Sequence, residues 1–199
     1  FINMDKILIS AIQIDVKNGD VERNISTALD FIEKAAHKKS KIIVLPEMWA
    51  TGFSNKNIRE LSEQYFKKIL DLLSYIARRE NLIIVGGSIP EIVNGKLFNT
   101  CFTINSNGAI IGSYRKIHLF SKNEEDKDFA SGEKVSPILT NFGKTGAIIC
   151  YDIRFPELAR KLSKSVDMIH SNSNEITSVY IETFEEKFTE LFRSPEFAS

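Results

Sequence analysis

Residues 147–158 read AIICYDIRFPEL, and the fold depends on this stretch because it joins a strand to a helix through a cysteine. Residues 147–150 are almost entirely apolar and predict a buried strand. Pro156 suits the first turn of the following helix, where its missing N–H has no intrahelical partner to lose. Cys150 therefore lies where a strand ends and the chain turns into a helix.

The chain on both sides of this stretch alternates between strand and helix patterns. Amphipathic spacing predicts helices from about residue 20 to 38, with Asp20 as N-cap, and from about 59 to 80. The dipeptides at residues 94–95 and 107–108 are both Asn-Gly and predict hairpin turns. Apolar, β-branched runs predict strands at residues 6–14, 42–45, 82–89, 97–105, 109–115 and 166–169. The mixture predicts a single α/β domain over residues 1–199, with a mixed sheet.

Composition excludes several classes of partner. Lys plus Arg and Asp plus Glu each number 26, so net charge gives no reason to expect nucleic acid or an anionic membrane. No apolar run reaches the ~18 residues that a membrane span needs. We see no secretory signal, so we expect a cytoplasmic protein in which Cys101 and Cys150 are free thiols. Three scattered histidines predict no metal site.

Three residues are candidates for chemistry, and each has a simpler explanation when taken alone. Glu47 follows an apolar strand, a usual place for functional groups in α/β sheets, but it could be an ordinary charged loop residue. Lys116 also follows a strand, where a solvated surface charge is the simpler expectation. Helix-terminal N–H groups could stabilise a Cys150 thiolate, yet a buried cysteine often acts only as a small hydrophobic residue.

The combination of these residues is more specific. LPEM at residues 45–48, YRKIHL at 114–119 and CYDIRFPE at 150–157 occur in this order. Together they resemble the three signature blocks of the nitrilase superfamily of carbon-nitrogen hydrolases, and the resemblance covers residues 6–169. It implies a nitrilase-like α-β-β-α sandwich with mixed sheets. It also implies a catalytic set of Glu47, Lys116 and Cys150, with no cofactor.

The implied chemistry is amide hydrolysis through a thioester. A free thiol is mostly protonated near neutral pH, so Glu47 would take its proton as general base. Lys116 would stabilise the oxyanion formed by thiolate attack, with the backbone N–H of Tyr151 as a second donor. The resemblance also implies a supporting glutamate in the loop after the lysine. Glu125 fits best, with Glu124 next and a solvated acidic residue as the alternative.

The residues after Cys150 resemble the omega-amidase and Nit-like branch. That implies hydrolysis of the terminal amide of a small carboxylate-bearing substrate, such as 2-oxoglutaramate or succinamate. Arg154 would bind the distal carboxylate, unless it forms an ion pair with Asp152 or Glu157. Tyr151, Trp49 and Phe53 would wall the pocket, although aromatic residues are more often core. An N-carbamoyl amine or acid amidohydrolase and an inactive truncated remnant remain as alternatives.

His118 and the C-terminal tail complete the set of expectations. We expect His118 to be a structural, hydrogen-bonded histidine. Residues 170–199 depart from the family, and beyond a weak helical stripe in residues 177–192 we predict no further core strands. We therefore expect a truncated or divergent C-terminus and a sandwich that is incomplete there. A homodimer or higher homo-oligomer is expected, with weak or absent activity.

Overall fold

The structure is a computed structural model that describes residues 7–53 and 57–173, together with the backbone course of residues 178–181. The helices are α1 (Val21–His37), α2 (Ile58–Glu80), α3 (Glu125–Asp128) and α4 (Pro156–Ser163). The strands are β1 (Ile9–Ala11), β2 (Ile42–Val44), β3 (Ile83–Val85), β4 (Ile89–Val93), β5 (Lys96–Ile104), β6 (Ile110–Arg115), β7 (Ile138–Thr140), β8 (Gly143–Ile149), β9 (Met168–Asn172) and β10 (Ser178–Ile181). Short 3₁₀ turns cover Ser121–Asn123 and Cys150–Arg154. Of the helices in the described ranges, none is long and apolar enough to cross a membrane.

The described strands form two mixed sheets. The first has the order β1-β2-β3-β5-β4, with β6 also paired to β5. Its β1, β2 and β3 are parallel, whereas β5 is antiparallel to each of its partners. The second has the order β10-β9-β8-β7, in which only the β8–β9 pair is parallel. Both sheets therefore match the mixed topology predicted from the sequence.

Side chains alternate between the two faces of each strand, and this alternation determines the layer in which each residue packs. In β3, Ile84 packs on the helix side with α1 and α2, whereas Ile83 and Val85 face the second sheet, as the two-residue period of a strand requires. The layer between the sheets includes Ala147 and Ile149 of β8. Ile148 points the other way and packs against α4. The order of layers is thus helix, sheet, sheet, helix, and the predicted α-β-β-α sandwich is confirmed.

The C-terminal expectation needs correction. The strand predicted at residues 166–169 instead runs through Asn172, and β10 pairs antiparallel with it. The apolar pattern missed this extension because its last three residues, His170, Ser171 and Asn172, are polar and nevertheless buried. The expectation of no further strands is also wrong, because the backbone of residues 178–181 is a strand within the segment 177–192 that showed a weak helical stripe. The remainder of that prediction lies outside the described residues.

Candidate active site

The turn after β2 places Glu47 in the interior. Ser88 holds this turn from both sides, because its N–H donates to Pro46 O at 3.1 Å and its Oγ accepts from Met48 N–H at 3.0 Å. Met48 is in the left-handed region, with φ of 48°. Gly87 allows the close approach, since a Cβ there would lie 2.0 Å from Pro46 O. The Glu47 side chain is consequently only 1% exposed and is not a solvated loop residue.

Lys116 follows β6 directly and its side chain is also only 1% exposed. Its Nζ lies 2.8 Å from Glu47 Oε1 and 2.8 Å from Glu125 Oε2. Burial lowers the pKa of the ammonium, but the two carboxylates more than offset this, so the net shift of the Lys116 pKa is upward. The surface-charge explanation for Lys116 is therefore wrong, and the residue is a buried, permanently charged cation.

Glu125 opens α3 and is the second carboxylate of this cluster. Besides Lys116, its oxygens accept from the backbone N–H of Phe120 at 2.8 Å. Glu124 instead lies at the surface, where it pairs with Lys127. The structure thus distinguishes the two glutamates that the sequence left as alternatives. It also removes the solvated-acid explanation for Glu125.

Cys150 lies at the end of β8, in the left-handed region with φ of 45°. Its Sγ is 3.7 Å from Ser173 Oγ, and its thiol is close enough to Glu47 for each to shift the pKa of the other. Burial, followed by the nearby Glu47 charge, raises the pKa of the Cys150 thiol to about 12. Burial also raises the pKa of Glu47, to about 6. Near neutral pH the proton therefore rests on sulfur, beside an ionised carboxylate that can accept it.

Asp152 connects the cysteine turn to the lysine segment. This fully buried carboxylate accepts from Tyr114 Oη at 2.7 Å and from the backbone N–H of Ile149 at 3.0 Å. Its other oxygen accepts from His118 N–H at 2.9 Å and lies 2.8 Å from His118 Nδ1. The His118 ring also stacks on Phe155, with centroids 3.6 Å apart. His118 is thus a hydrogen-bonded structural residue, in agreement with the expectation.

The residues expected to contact substrate, Arg154, Tyr151 and Trp49, differ in how exposed their side chains are. The Arg154 side chain is exposed and makes no hydrogen bond or ion pair with any residue in the described ranges. Neither ion pair considered for it is present, and the Asp152 carboxylate is already engaged elsewhere. Tyr151 is half-buried and packs against Phe120 and Phe155. Tyr151 and Arg154 therefore remain candidates for substrate binding.

The expectation that Trp49 walls the pocket is wrong. Its side chain is buried in the core beneath the helices, where Nε1 donates to Gly86 O at 2.8 Å. The turn after Glu47 directs the indole inward, so Trp49 is not a pocket wall in this structure. Phe53 lies nearer the charged cluster, with its ring centroid 5.8 Å from Lys116 Nζ.

Asn99 is a site residue that the sequence reasoning missed. It lies in β5, is almost fully buried, and its Nδ2 donates to Glu47 at 3.0 Å and to Glu125 at 2.9 Å. A polar residue on the inner face of a mostly apolar strand was the available signal.

No group of metal-ligating side chains occurs among the residues that the structure describes. Both cysteines are free thiols, as expected.

Comparisons with known proteins agree with this architecture. The family model described as carbon-nitrogen hydrolase matches residues 8–184. The chain is 38% identical over 152 residues to Nitrilase homolog 2 of Dictyostelium discoideum, covering 72% of this chain and 46% of that protein. It is 36% identical over 156 residues to 2-oxoglutaramate amidase of Bacillus subtilis, covering 78% of this chain and 60% of that protein.

A solved structure shows the same fold. Nit3 of Saccharomyces cerevisiae, a member of branch 10 of the nitrilase superfamily, superposes with a TM-score of 0.76 at 34% identity. The match covers 84% of this chain and 64% of that one. The chain spans about half to three fifths of the length of the curated relatives it matches. Because the family model matches most of the length of this chain, the chain belongs to the carbon-nitrogen hydrolase family.

Proposed function

We propose that this chain hydrolyses the terminal amide of a small carboxylate-bearing compound, with Cys150 as nucleophile, Glu47 as general base and Lys116 as oxyanion stabiliser. The observation that carries the proposal is the buried cluster in which Lys116 bridges Glu47 and Glu125 beside the Cys150 thiol. Three ionised groups are costly to bury, and such arrangements are concentrated at functional sites.

In the first half-reaction, Glu47 accepts the Cys150 proton as sulfur forms a bond to the amide carbonyl carbon. The carbonyl electron pair moves onto oxygen. Two N–H groups of Lys116 are committed to Glu47 and Glu125, which leaves the third to donate to that oxyanion. The backbone N–H of Tyr151 is the proposed second donor, and one such donor is typically worth ~3 kcal/mol in the transition state.

The first half-reaction is completed when the oxyanion re-forms the carbonyl and the C–N bond breaks. Glu47 returns its proton to the leaving nitrogen, ammonia departs, and a thioester remains on Cys150. In the second half-reaction, water attacks the thioester carbon while Glu47 removes its proton. The C–S bond breaks, sulfur regains the proton, and the carboxylic acid product is released. No cofactor enters this cycle.

The substrate class rests on Arg154 and on the relatives. Arg154 lies four residues after the nucleophile, exposed and without an ion-pair partner among the described residues, so its guanidinium is available to bind a carboxylate bidentately. Matched relatives include 2-oxoglutaramate amidase of Bacillus subtilis and Omega-amidase NIT3 of Saccharomyces cerevisiae. We accordingly propose an omega-amidase type of substrate, such as 2-oxoglutaramate or succinamate. We further propose that the protein is cytoplasmic and forms a homo-oligomer, and sedimentation velocity tests the oligomeric state.

The deciding experiment measures ammonia release from 2-oxoglutaramate, succinamate and N-carbamoyl compounds by this chain and its variants. Glu47→Gln and Lys116→Ala should each lower kcat by at least ~10²-fold, because both groups act in the transition state. Lys127→Ala is the matched control, since that lysine pairs with Glu124 at the surface and should be neutral. Preference for N-carbamoyl compounds would favour the amidohydrolase alternative. No turnover of any amide by the folded chain would favour an inactive remnant.

A further inference from the structure

We propose that Asn99 is a positioning residue that directs proton transfer to one particular oxygen of Glu47. This inference rests on the proposed function, because it assigns Glu47 as the base. Asn99 is far from that carboxylate in sequence, separated by 52 positions, but its amide lies directly against it. It was not among the residues that the sequence indicated as functional.

The hydrogen bonds define a closed arrangement of four side chains. The two hydrogens of Asn99 Nδ2 serve different carboxylates, Glu47 Oε1 at 3.0 Å and Glu125 Oε1 at 2.9 Å. Lys116 Nζ joins the same two carboxylates from its own position, through Glu47 Oε1 and Glu125 Oε2. The backbone carbonyl of Asn99 also accepts Lys116 N–H at 2.9 Å. The main chain of Asn99 thus holds the lysine segment while its side chain holds the two carboxylates.

The two oxygens of Glu47 consequently differ. Oε1 accepts from both Asn99 and Lys116, whereas Oε2 accepts from no nitrogen or oxygen donor of the described residues. Two charge-assisted hydrogen bonds stabilise negative charge on Oε1 and reduce its basicity. Oε2 is then the oxygen that takes the Cys150 proton and later returns it to the leaving nitrogen. The carboxylate is also held against rotation, so the base keeps one orientation through both half-reactions.

Asn99 can fill this position because its amide donates without carrying charge. A second lysine would compensate the two carboxylates fully and suppress the basicity of Glu47. A leucine of similar size would leave the lone pairs of two buried carboxylates unsatisfied, which is costly in a low-dielectric site. The other titratable groups that face Glu47 are Lys116, Glu125 and Cys150, each from a different segment.

The test follows alkylation of Cys150 by iodoacetamide against pH, by mass spectrometry of the intact chain. This readout needs deprotonation of the thiol but no amide turnover. In the unmodified chain the acid limb should lie near pH 6, where Glu47 ionises. Asn99→Leu removes a donor to the ionised carboxylate, so the limb should move up by about one pH unit. The alkylation rate at pH 6 should then fall about fivefold.

Asn99→Asp, which keeps the shape, adds a like charge and should move the limb upward at least as far. Thr103→Val is the matched control, because Thr103 is buried in the same strand and its hydroxyl has no partner among the described residues. It should leave the limb in place.

Unchanged acid limbs in both folded Asn99 variants would overturn the proposal, whatever happens to the overall rate. So would loss of the fold in both, since that would make Asn99 a residue of stability only. A shifted limb in a chain that hydrolyses none of the tested amides would remove the proposed substrates and keep the role of Asn99.

Discussion

Replacing His170 by asparagine should make the folded protein less sensitive to acid. His170 is fully buried in β9, where Nδ1 lies 3.0 Å from Thr145 Oγ1. Burial lowers its pKa to about 3, from an ordinary value of 6.5. A pKa depressed in the folded state means that the unfolded chain takes up a proton which the native chain excludes. The resulting stability is complete above pH 6.5 and is lost as pH falls towards 3.

The magnitude follows from the two pKa values. At pH 5 an unfolded histidine is almost fully protonated and the buried one is neutral, which lowers the free energy of unfolding by about 2 kcal/mol relative to pH 7.5. Glu47 acts in the opposite direction, because its folded pKa of about 6 lies above the ordinary 4.5. It adds about 1 kcal/mol over the same interval. The total pH dependence therefore mixes both groups, and only a His170 variant isolates the first.

The assay is urea unfolding at pH 7.5 and at pH 5, for the unmodified chain, His170→Asn and His37→Asn. His170→Asn keeps a polar atom near Thr145 and removes the titration. Its loss of stability between the two pH values should be smaller by about 2 kcal/mol, even if its stability at pH 7.5 is lower. His37, which is exposed at the end of α1, is the control. An identical pH difference in His170→Asn and in the unmodified chain would refute the argument.

Three further predictions concern the site. Cys150→Ser should abolish amide hydrolysis, because the Cys150 thiol lies beside Glu47 and Lys116. Cys101→Ser should retain most of the activity, because Cys101 is buried in the core between the sheets. Ammonia release checks both variants, and a Cys150→Ser chain with near-normal turnover would rule out the mechanism. Arg154→Lys should raise KM for succinamate about tenfold more than for an uncharged amide of similar size, because lysine cannot make the bidentate contact; equal effects on both KM values would count against carboxylate binding. Asp152→Asn should lower Tm by several degrees, since hydrogen bonds to a buried charge contribute roughly 1.5–3 kcal/mol each; the exposed Asp126→Asn should not, and equal Tm values would show that the Asp152 charge adds no stability.

The two long helices and several strands of the first sheet could be predicted from the sequence. The strand predicted at residues 6–14 is limited to β1, and the strand predicted at 82–89 is divided into β3 and the first residue of β4, whose remainder was not predicted. The long amphipathic patterns gave α1 and α2 to within a residue or two, and the Asp20 side chain does cap α1 by accepting Arg23 N–H. Short elements were harder. A three-residue strand such as β7 has too few positions to show a period. In β9 the buried residues are polar, so burial comes from sheet pairing that the local pattern does not encode.

The candidate site could likewise be predicted only in part from the sequence. The sequence identified Glu47 and Lys116 through resemblance, and the structure brings them within hydrogen-bonding distance across 69 positions. Their catalytic roles stay predictions. Asn99 was missed because its importance depends on two carboxylates that the chain supplies from elsewhere. Trp49 was misplaced because the direction of a side chain in a tight turn depends on φ at Met48, which no sequence pattern reports.

Asp152 connects the segment that carries Lys116 to the segment that carries Cys150. Lys116 follows a strand of the first sheet and Cys150 follows a strand of the second, so their separation depends on how the sheets are held together. Asp152 receives hydrogen bonds from Tyr114 and His118, on either side of the lysine, and from Ile149, just before the cysteine. Sliding one sheet against the other would leave a buried carboxylate unsatisfied, at a cost of several kcal/mol. A residue with no direct role in the proposed reaction thus fixes the distance between Cys150 and Lys116, the proposed nucleophile and oxyanion donor. Misplacing such a group by 1 Å can cost ~10²-fold in rate.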